Sequence, residues 1–168
     1  MPNIEIERKY IIEMPSVSTL AEMQDYSSSE ILQIYLASVP RITHRIRARK
    51  YGNKTIYTET VKVRIDKISA HEDEHEISEA EFERLRLTRA TDTRELIKTR
   101  HVFSYGGQVF EIDVYPEWQS TAILETELAS RDTEVEFPAC IRIVREVSGD
   151  KAYSNASMSR AFPTEDQI

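Results

Sequence analysis

Apolar and polar residues alternate along most of the chain, and a period of two is what a strand with one buried face requires. Ile4 to Ile12 sets Glu5, Glu7 and Lys9 against Ile4, Ile6 and Tyr10, with Arg8 the exception on the apolar side. Leu32 to Ala37 places Gln33 and Tyr35 opposite Ile34 and Leu36, and Arg41 to Arg49 places Arg45, Arg47 and Arg49 opposite Ile46 and Ala48. Gly52-Asn53 then supplies a hairpin turn into Thr55 to Ile65, where Thr58, Thr60, Lys62 and Arg64 oppose Val61, Val63 and Ile65. Glu72 to Ile77 is a weaker strand. Leu96 to Tyr105 carries Lys98 and Arg100 in one parity, and Gly106-Gly107 turns it into Gln108 to Tyr115, with Glu111 and Asp113 against Phe110, Ile112 and Val114. Ala122 to Leu128 pairs Glu125 with Glu127, which completes eight predicted strands.

Helices are predicted between them. Ser78-Glu79-Ala80-Glu81 has the capping-box pattern, and Phe82 and Leu85 share one face of a helix running to about Ala90. Shorter helices are predicted over Pro15 to Tyr26 and Ser130 to Phe137, with a terminal one over Asn155 to Phe162. The fold class is α+β, mainly antiparallel β, in a single domain over residues 1–168 with no internal repeat or linker.

Charge sorted by strand face changes the picture. Eight basic groups (Lys9, Arg45, Arg47, Arg49, Lys62, Arg64, Lys98, Arg100) and eight acidic ones (Glu5, Glu7, Glu74, Glu76, Glu111, Asp113, Glu125, Glu127) occupy like-parity positions. On any one strand this reads as a solvated face with weak cross-strand ion pairs. Like charges repeated at i, i+2 repel, however, and call for a partner from outside the strand. Two architectures accommodate them: two packed sheets with charged outer faces, or a barrel with these faces inward. In the barrel the lumen holds guanidinium and ammonium groups suited to a polyanion, and carboxylate pairs suited to Mg²⁺ or Mn²⁺. The implied partner is a metal-bound polyphosphate, and the outward apolar faces then need cover from helices or a second subunit.

Composition adds limits. The 168 residues carry 22 basic and 29 acidic side chains, a net charge of −7, which disfavours a nucleic-acid partner. The longest apolar run, Ile34 to Ala37, is far short of the ~20 residues of a spanning helix, and Met-Pro-Asn-Ile-Glu lacks the basic and apolar parts of a leader, so a soluble protein with no membrane partner is expected. The single cysteine, Cys140, reads as a small buried hydrophobe and fits a reducing, cytoplasmic setting.

The ordered strand motifs resemble one family. Ile4-Glu5-Ile6-Glu7-Arg8-Lys9-Tyr10 is similar to the Glu-x-Glu-x-Lys opening of the CYTH superfamily, the triphosphate tunnel metalloenzymes. Gln33-Ile34-Tyr35-Leu36, His44-Arg45-Ile46-Arg47, Thr60-Val61-Lys62, Glu74-His75-Glu76-Ile77 and Ile97-Lys98-Thr99-Arg100 follow in order. Phe110-Glu111-Ile112-Asp113-Val114, Leu124-Glu125-Thr126-Glu127-Leu128 and Asp150-Lys151-Ala152-Tyr153-Ser154-Asn155 extend the resemblance to about Asn155. It implies an eight-stranded closed antiparallel barrel with flanking helices. By the same resemblance Lys9, Arg45, Arg47, Lys62, Lys98 and Arg100 hold the triphosphate, with Lys151 near the mouth. Glu5, Glu7, Glu125 and Glu127 bind metal, Mg²⁺ or Mn²⁺, with Glu74, Glu76 and Asp113 as further metal groups. Tyr35 and Lys62 are the catalytic candidates; a phenol of reference pKa ~10 needs strong cationic neighbours to act as a base, so hydrogen bonding is the simpler role for Tyr35.

The implied activity is metal-dependent hydrolysis of inorganic triphosphate to diphosphate and phosphate. Thiamine or nucleoside triphosphate hydrolysis, class-IV-like adenylyl cyclase chemistry and non-catalytic binding of polyphosphate or nucleotide stand as alternatives. The chain departs from the pattern at Glu72 and Ala152, where many members carry arginine, and in the glycine-free run Val63 to Ala70, which predicts a longer hairpin at the tunnel mouth. His71-Glu72-Asp73-Glu74-His75 matches the zinc-protease motif literally, but lacks the apolar stripe of an active-site helix and runs into a strand. Outward apolar residues such as Ile4, Ile6, Ile112 and Val114 permit a homodimer.

Overall fold

A computed structural model describes residues 3–168. Its strands are β1 (Asn3–Glu13), β2 (Gln24–Leu36), β3 (Ile42–Tyr51), β4 (Lys54–Arg64), β5 (Ser69–Ile77), β6 (Leu96–Tyr105), β7 (Gln108–Val114), β8 (Thr121–Glu127) and β9 (Ile143–Glu146). The helices are α1 (Val17–Leu20), α2 (Glu79–Arg86) and α3 (Asn155–Arg160). The first eight strands pair antiparallel in the order β5-β4-β3-β2-β6-β7-β8-β1, and the ring closes where Asn3 to Ile6 of β1 meet Ser69 to Glu72 of β5. The far half of β1 leaves β5 and takes β9 as partner through Tyr10, Ile11 and Ile12. Closure removes the sheet edges that an open charged sheet would expose.

The charged parity faces inward and the apolar parity outward, so the barrel needs a coat. Over one sector α2 lays Phe82 and Leu85 on Ile34, Leu36 and Ile46; its Ser78 cap accepts a hydrogen bond from the Glu81 amide at 3.1 Å. Over another, Tyr10, Ile12, Phe103, Phe110, Ile112 and Leu124 pack under Leu20, Val135, Phe137 and Ile141. The inward parity itself turns apolar past the charges: Ile11, Ile123 and Tyr115 join Trp118, Val147, Tyr153 and Met158 in a plug built with the C-terminal segment. Fully burying side chains of this size stabilises by about 1.5–3 kcal/mol each.

The predicted helices fare unevenly. Ser130 to Phe137 is not helical. Thr133, Val135 and Phe137 alternate with Glu134 and Glu136, an extended period that lets Val135 and Phe137 lie on the barrel, where Phe137 meets Tyr10 edge-on with ring centres 5.0 Å apart. Pro15 to Tyr26 shrinks to the single turn α1, because β2 begins at Gln24 rather than Leu32 and bulges between Gln24 and Ser27 with Asp25 at φ 55°. The terminal helix ends at Arg160. Cys140 is exposed, not buried. The zinc-protease look-alike lies in β5 with its histidines on the strand's outer parity, and His75 and His44 share the Glu59 carboxylate at 3.2 and 2.6 Å. Among the described residues no helix is long and apolar enough to cross a membrane.

Candidate active site

The inward side chains of β1 to β8 surround a cavity of about 810 Å³. Register fixes who faces whom: Tyr35 sits beside Arg45 and Gln33 beside Arg47 across β2 and β3, Lys62 beside Glu72 across β4 and β5, and Glu7 beside Glu127 and Lys9 beside Glu125 across β1 and β8. The mouth is framed by Val39 to Arg41, by Asp66 and Lys67, and by Gly149 to Lys151. Gly149 has φ +73°, and a Cβ there would lie 2.8 Å from the Lys67 Cβ, so glycine lets the C-terminal segment close against the β4–β5 turn.

One wall is cationic and uncancelled. Arg45, Arg47 and Arg49 point inward from β3, and among the described residues no carboxylate lies within ion-pair distance of any of them. The Arg45 Nε is buried without a hydrogen-bond partner. Arg47 donates from Nε and Nη2 to Gln33 Oε1 at 3.1 and 2.7 Å, and Gln33 in turn donates to the Tyr35 hydroxyl at 2.7 Å. Burial, followed by repulsion from Arg45 and Arg100, lowers the Arg47 pKa to about 9. The repulsive part of that shift, from Arg45 and Arg100, marks a place where positive charges crowd.

The opposite wall is acidic and only partly cancelled, by Lys62 and Lys9. Burial raises the Glu7 pKa, with repulsion from Glu125 adding to it and attraction from Lys62 and Lys9 only partly offsetting it. Glu127 is raised by burial and by Glu5, Glu7 and Glu111; Glu111 is raised by burial despite Arg100. Lys62 Nζ lies 2.6 Å from Glu5 Oε2 and 3.8 Å from both Glu7 and Glu72. Glu72 Oε2 is buried without a hydrogen-bond partner among the described residues. Lys9 is raised, as Glu125 at 3.1 Å and Glu7 outweigh its burial, and it also donates to the Tyr153 carbonyl at 3.1 Å. Glu125, though buried, is held down to about 2 chiefly by Lys9.

Of the residues singled out in the sequence, Lys9, Tyr35, Arg45, Arg47, Lys62, Arg100, Lys151, Glu5, Glu7, Glu74, Glu125 and Glu127 line this cavity. Lys98, Asp113 and Glu76 do not. Lys98 Nζ is fully buried on Asp113 Oδ2 at 2.7 Å, and Asp113 also takes Arg100 Nε at 2.7 Å and Nη2 at 2.9 Å. These three form a closed cluster beneath the wall, in which Asp113 fixes the Arg100 fork, and burial drops the Lys98 pKa to about 7. Glu76 is exposed farther along β5. Arg49, Arg64 and Glu111 share the parity of the charged face and do reach the cavity, whereas Lys67, Asn155 and Arg160 come from loops and α3, where no period announces them.

The donor set fits a hard divalent cation. Glu5, Glu7 and Glu127 present carboxylate oxygens from two neighbouring strands, with the Glu5 Oε2 atom held meanwhile by Lys62 at 2.6 Å. Among the described residues no three acidic, histidine or cysteine groups already form a cage. Mg²⁺ is commonly held by one or two carboxylates together with substrate phosphates, a manner that an open acidic wall suits.

Solved structures share this architecture. The inorganic triphosphatase NE1496 is 26% identical with a TM-score of 0.58, over 95% of this chain and 96% of its own. PH1012 from Pyrococcus horikoshii OT3 is 19% identical with a TM-score of 0.56, over 75% and 80%. HpAC1 from Hippeastrum, an adenylyl cyclase candidate described as having a dominant triphosphatase activity, is 14% identical with a TM-score of 0.52, over 74% and 80%. The latter two likenesses show the fold alone. No protein-family model matches the chain, and no curated protein matches it.

Proposed function

We propose that this chain, a CYTH-superfamily barrel by its fold and its ordered strand motifs, is a metal-dependent hydrolase that cuts inorganic triphosphate to diphosphate and phosphate. The observation that carries this is the double imbalance of the lumen. Among the described residues Arg45, Arg47 and Arg49 lack carboxylate partners, while Glu5, Glu7 and Glu127 crowd together across from them. An anion alone would leave the acidic wall uncompensated, and a cation alone the basic one; a metal–triphosphate complex supplies both charges at once. The similarity to an inorganic triphosphatase over nearly the full length of both chains supports the same reading.

In this mechanism Arg45 and Arg47 grip non-bridging oxygens, with Arg47 oriented by Gln33. Arg100 is aimed by Asp113 and Glu111, and joins them. Phosphoryl transfer needs positioning and charge neutralisation more than covalent help. Glu5, Glu7 and Glu127 would hold the Mg²⁺ or Mn²⁺, which supplies charge neutralisation on the phosphate oxygens. Tyr35 accepts from Gln33 and so turns its own O–H toward the lumen as a hydrogen-bond donor. Glu125, kept ionised by Lys9, accepts a hydrogen bond from the attacking water. Lys62 stays among Glu5, Glu7 and Glu72, limiting their repulsion. Tyr35 is the one aromatic side chain among the lining residues, which favours an inorganic substrate over one with a base to stack.

Steady-state phosphate release from inorganic triphosphate, ATP and thiamine triphosphate tests this. Inorganic triphosphate should give the highest kcat/KM, and Arg45→Met or Glu127→Gln should each lower it about 10²–10³-fold, as removal of a preorganised charge-stabilising group does. Cyclic AMP from ATP, or unchanged kcat/KM in both variants, would overturn it.

A further inference from the structure

Behind Arg47 the lumen has a second, smaller cavity. It occupies about 150 Å³ toward the β3–β4 hairpin and shares Arg47, Arg49 and Glu74 with the main one, while Tyr51, Ile56 and Thr58 belong to it alone. A single water needs roughly 10–15 Å³ on this measure, so there is room for one tetrahedral oxyanion.

Its chemistry is that of an anion site held ready by neutral partners. Arg49 donates from Nε to Ser29 Oγ at 2.8 Å and lies 4.9 Å from the centre of the Tyr51 ring. Its two Nη groups have no hydrogen-bond partner among the described residues. Arg47, nine-tenths buried, spends Nε and Nη2 on Gln33 and keeps Nη1 free. Thr58, the cross-strand neighbour of Arg47, adds a hydroxyl. The one carboxylate is Glu74, steadied by Thr60 Oγ1 at 2.8 Å. A carboxylate repels a fully ionised oxyanion but accepts a hydrogen bond from one that still carries a proton. Orthophosphate near neutral pH carries one; sulfate does not.

We propose that this cavity is an orthophosphate subsite, which receives the single phosphate set free when a triphosphate is cut in the main lumen. The source of that phosphate rests on the hydrolase function proposed above; the subsite itself needs no turnover. Arg47 stands in both cavities, so the released phosphate passes from one face of its guanidinium to the other without losing a charged partner.

Titration of chelator-treated, metal-free protein with inorganic phosphate and with sulfate, followed by calorimetry and by ³¹P line broadening, tests it apart from catalysis. Phosphate should bind the wild type about tenfold more tightly than sulfate, and Arg49→Met should weaken phosphate by about tenfold, the effect of losing a charge-assisted pair. Thr58→Val, a near-isosteric change, should weaken it by a smaller but measurable factor of about three. Glu74→Gln should bring the two anions to similar affinity. Arg45→Met removes a phosphate-gripping group of the main lumen alone, so the binding that persists in it reports the subsite and should be lost when Arg49→Met is added. The proposal fails if Arg45→Met abolishes phosphate binding while Arg49→Met and Thr58→Val leave it unchanged, or if sulfate binds the wild type as well as phosphate does. Absence of triphosphate turnover would instead strike the hydrolase function and leave this titration to decide the subsite.

Discussion

Glu7 sits beside Glu127 and close to Glu5 and Glu125, and its carboxylate ionises less readily than a free one because burial and these neighbours oppose the charge. A carboxyl whose pKa is raised on folding contributes stability that is present below its ordinary value and lost as the pH climbs through the folded one. Glu7→Gln should therefore raise the melting temperature of metal-free protein at pH 8 and leave it nearly unchanged at pH 4, where both side chains are neutral. The same variant should lose most of the thermal shift produced by Mg²⁺. A variant that melts lower than wild type at pH 8 without metal would contradict the account of this wall. Asp113 behaves oppositely, pulled well below the usual carboxylate range by Arg100 and Lys98 despite its burial. Asp113→Asn takes the carboxylate from buried Lys98 and leaves Arg100 with Glu111 alone, and should destabilise by about 3–5 kcal/mol in urea unfolding. Lys98→Met should cost far less, since Arg100 still holds both Asp113 oxygens. Strand parity was enough to identify Arg45, Arg47, Lys62, Glu5, Glu7, Glu125 and Glu127 as luminal. It puts Lys98 and Asp113 on the same face, but parity reports which face a side chain occupies and not how deep it lies, and both lie beneath the cavity wall where Arg100 pairs with Asp113 across β6 and β7.

Elements were legible where one period dominated. β1, β3, β4, β6, β7 and β8 follow alternation closely, and the Gly106-Gly107 hairpin has both residues at positive φ, 57° and 76°, as a type I′ turn requires. The early part of β2 was obscured by Ser27-Ser28-Ser29, which has no apolar–polar alternation but pairs with Val102, His101 and Arg100 of β6. β9 escaped because it is four residues long, exposed along its length, and ordered by the end of β1 rather than by its own pattern. α2 is the helix most clearly written in sequence, from its Ser78 cap to Phe82 and Leu85. Ser78→Ala should cost about 0.5–2 kcal/mol by loss of that cap, while kcat/KM stays within twofold, because α2 coats the outside of the barrel and lends no side chain to the cavity. A large loss of activity with intact fold would show that the coat does more than cover.

The barrel as a unit inverts the usual arrangement: charge within, apolar residues without, a coat of α2, α1 and the extended 130–141 segment to bury what the strands turn outward, and a C-terminal plug over the inward apolar residues beyond the charges. The inversion holds together because its luminal cations and carboxylates are partly paired, as Lys9 with Glu125 and Arg100 with Asp113, and it leaves chemistry for the rest. On the proposed function, the β3 arginines and the Glu5, Glu7 and Glu127 group are the two halves of the site that a metal–triphosphate complex would fill. The most direct measurement is a ³¹P NMR time course of inorganic triphosphate with the purified protein, in Mg²⁺ and again in excess chelator. Equal amounts of diphosphate and orthophosphate should accumulate with Mg²⁺, and the triphosphate resonances should persist under chelation. Unchanged triphosphate with metal present, or the same rate without it, would contradict the metal-dependent triphosphatase.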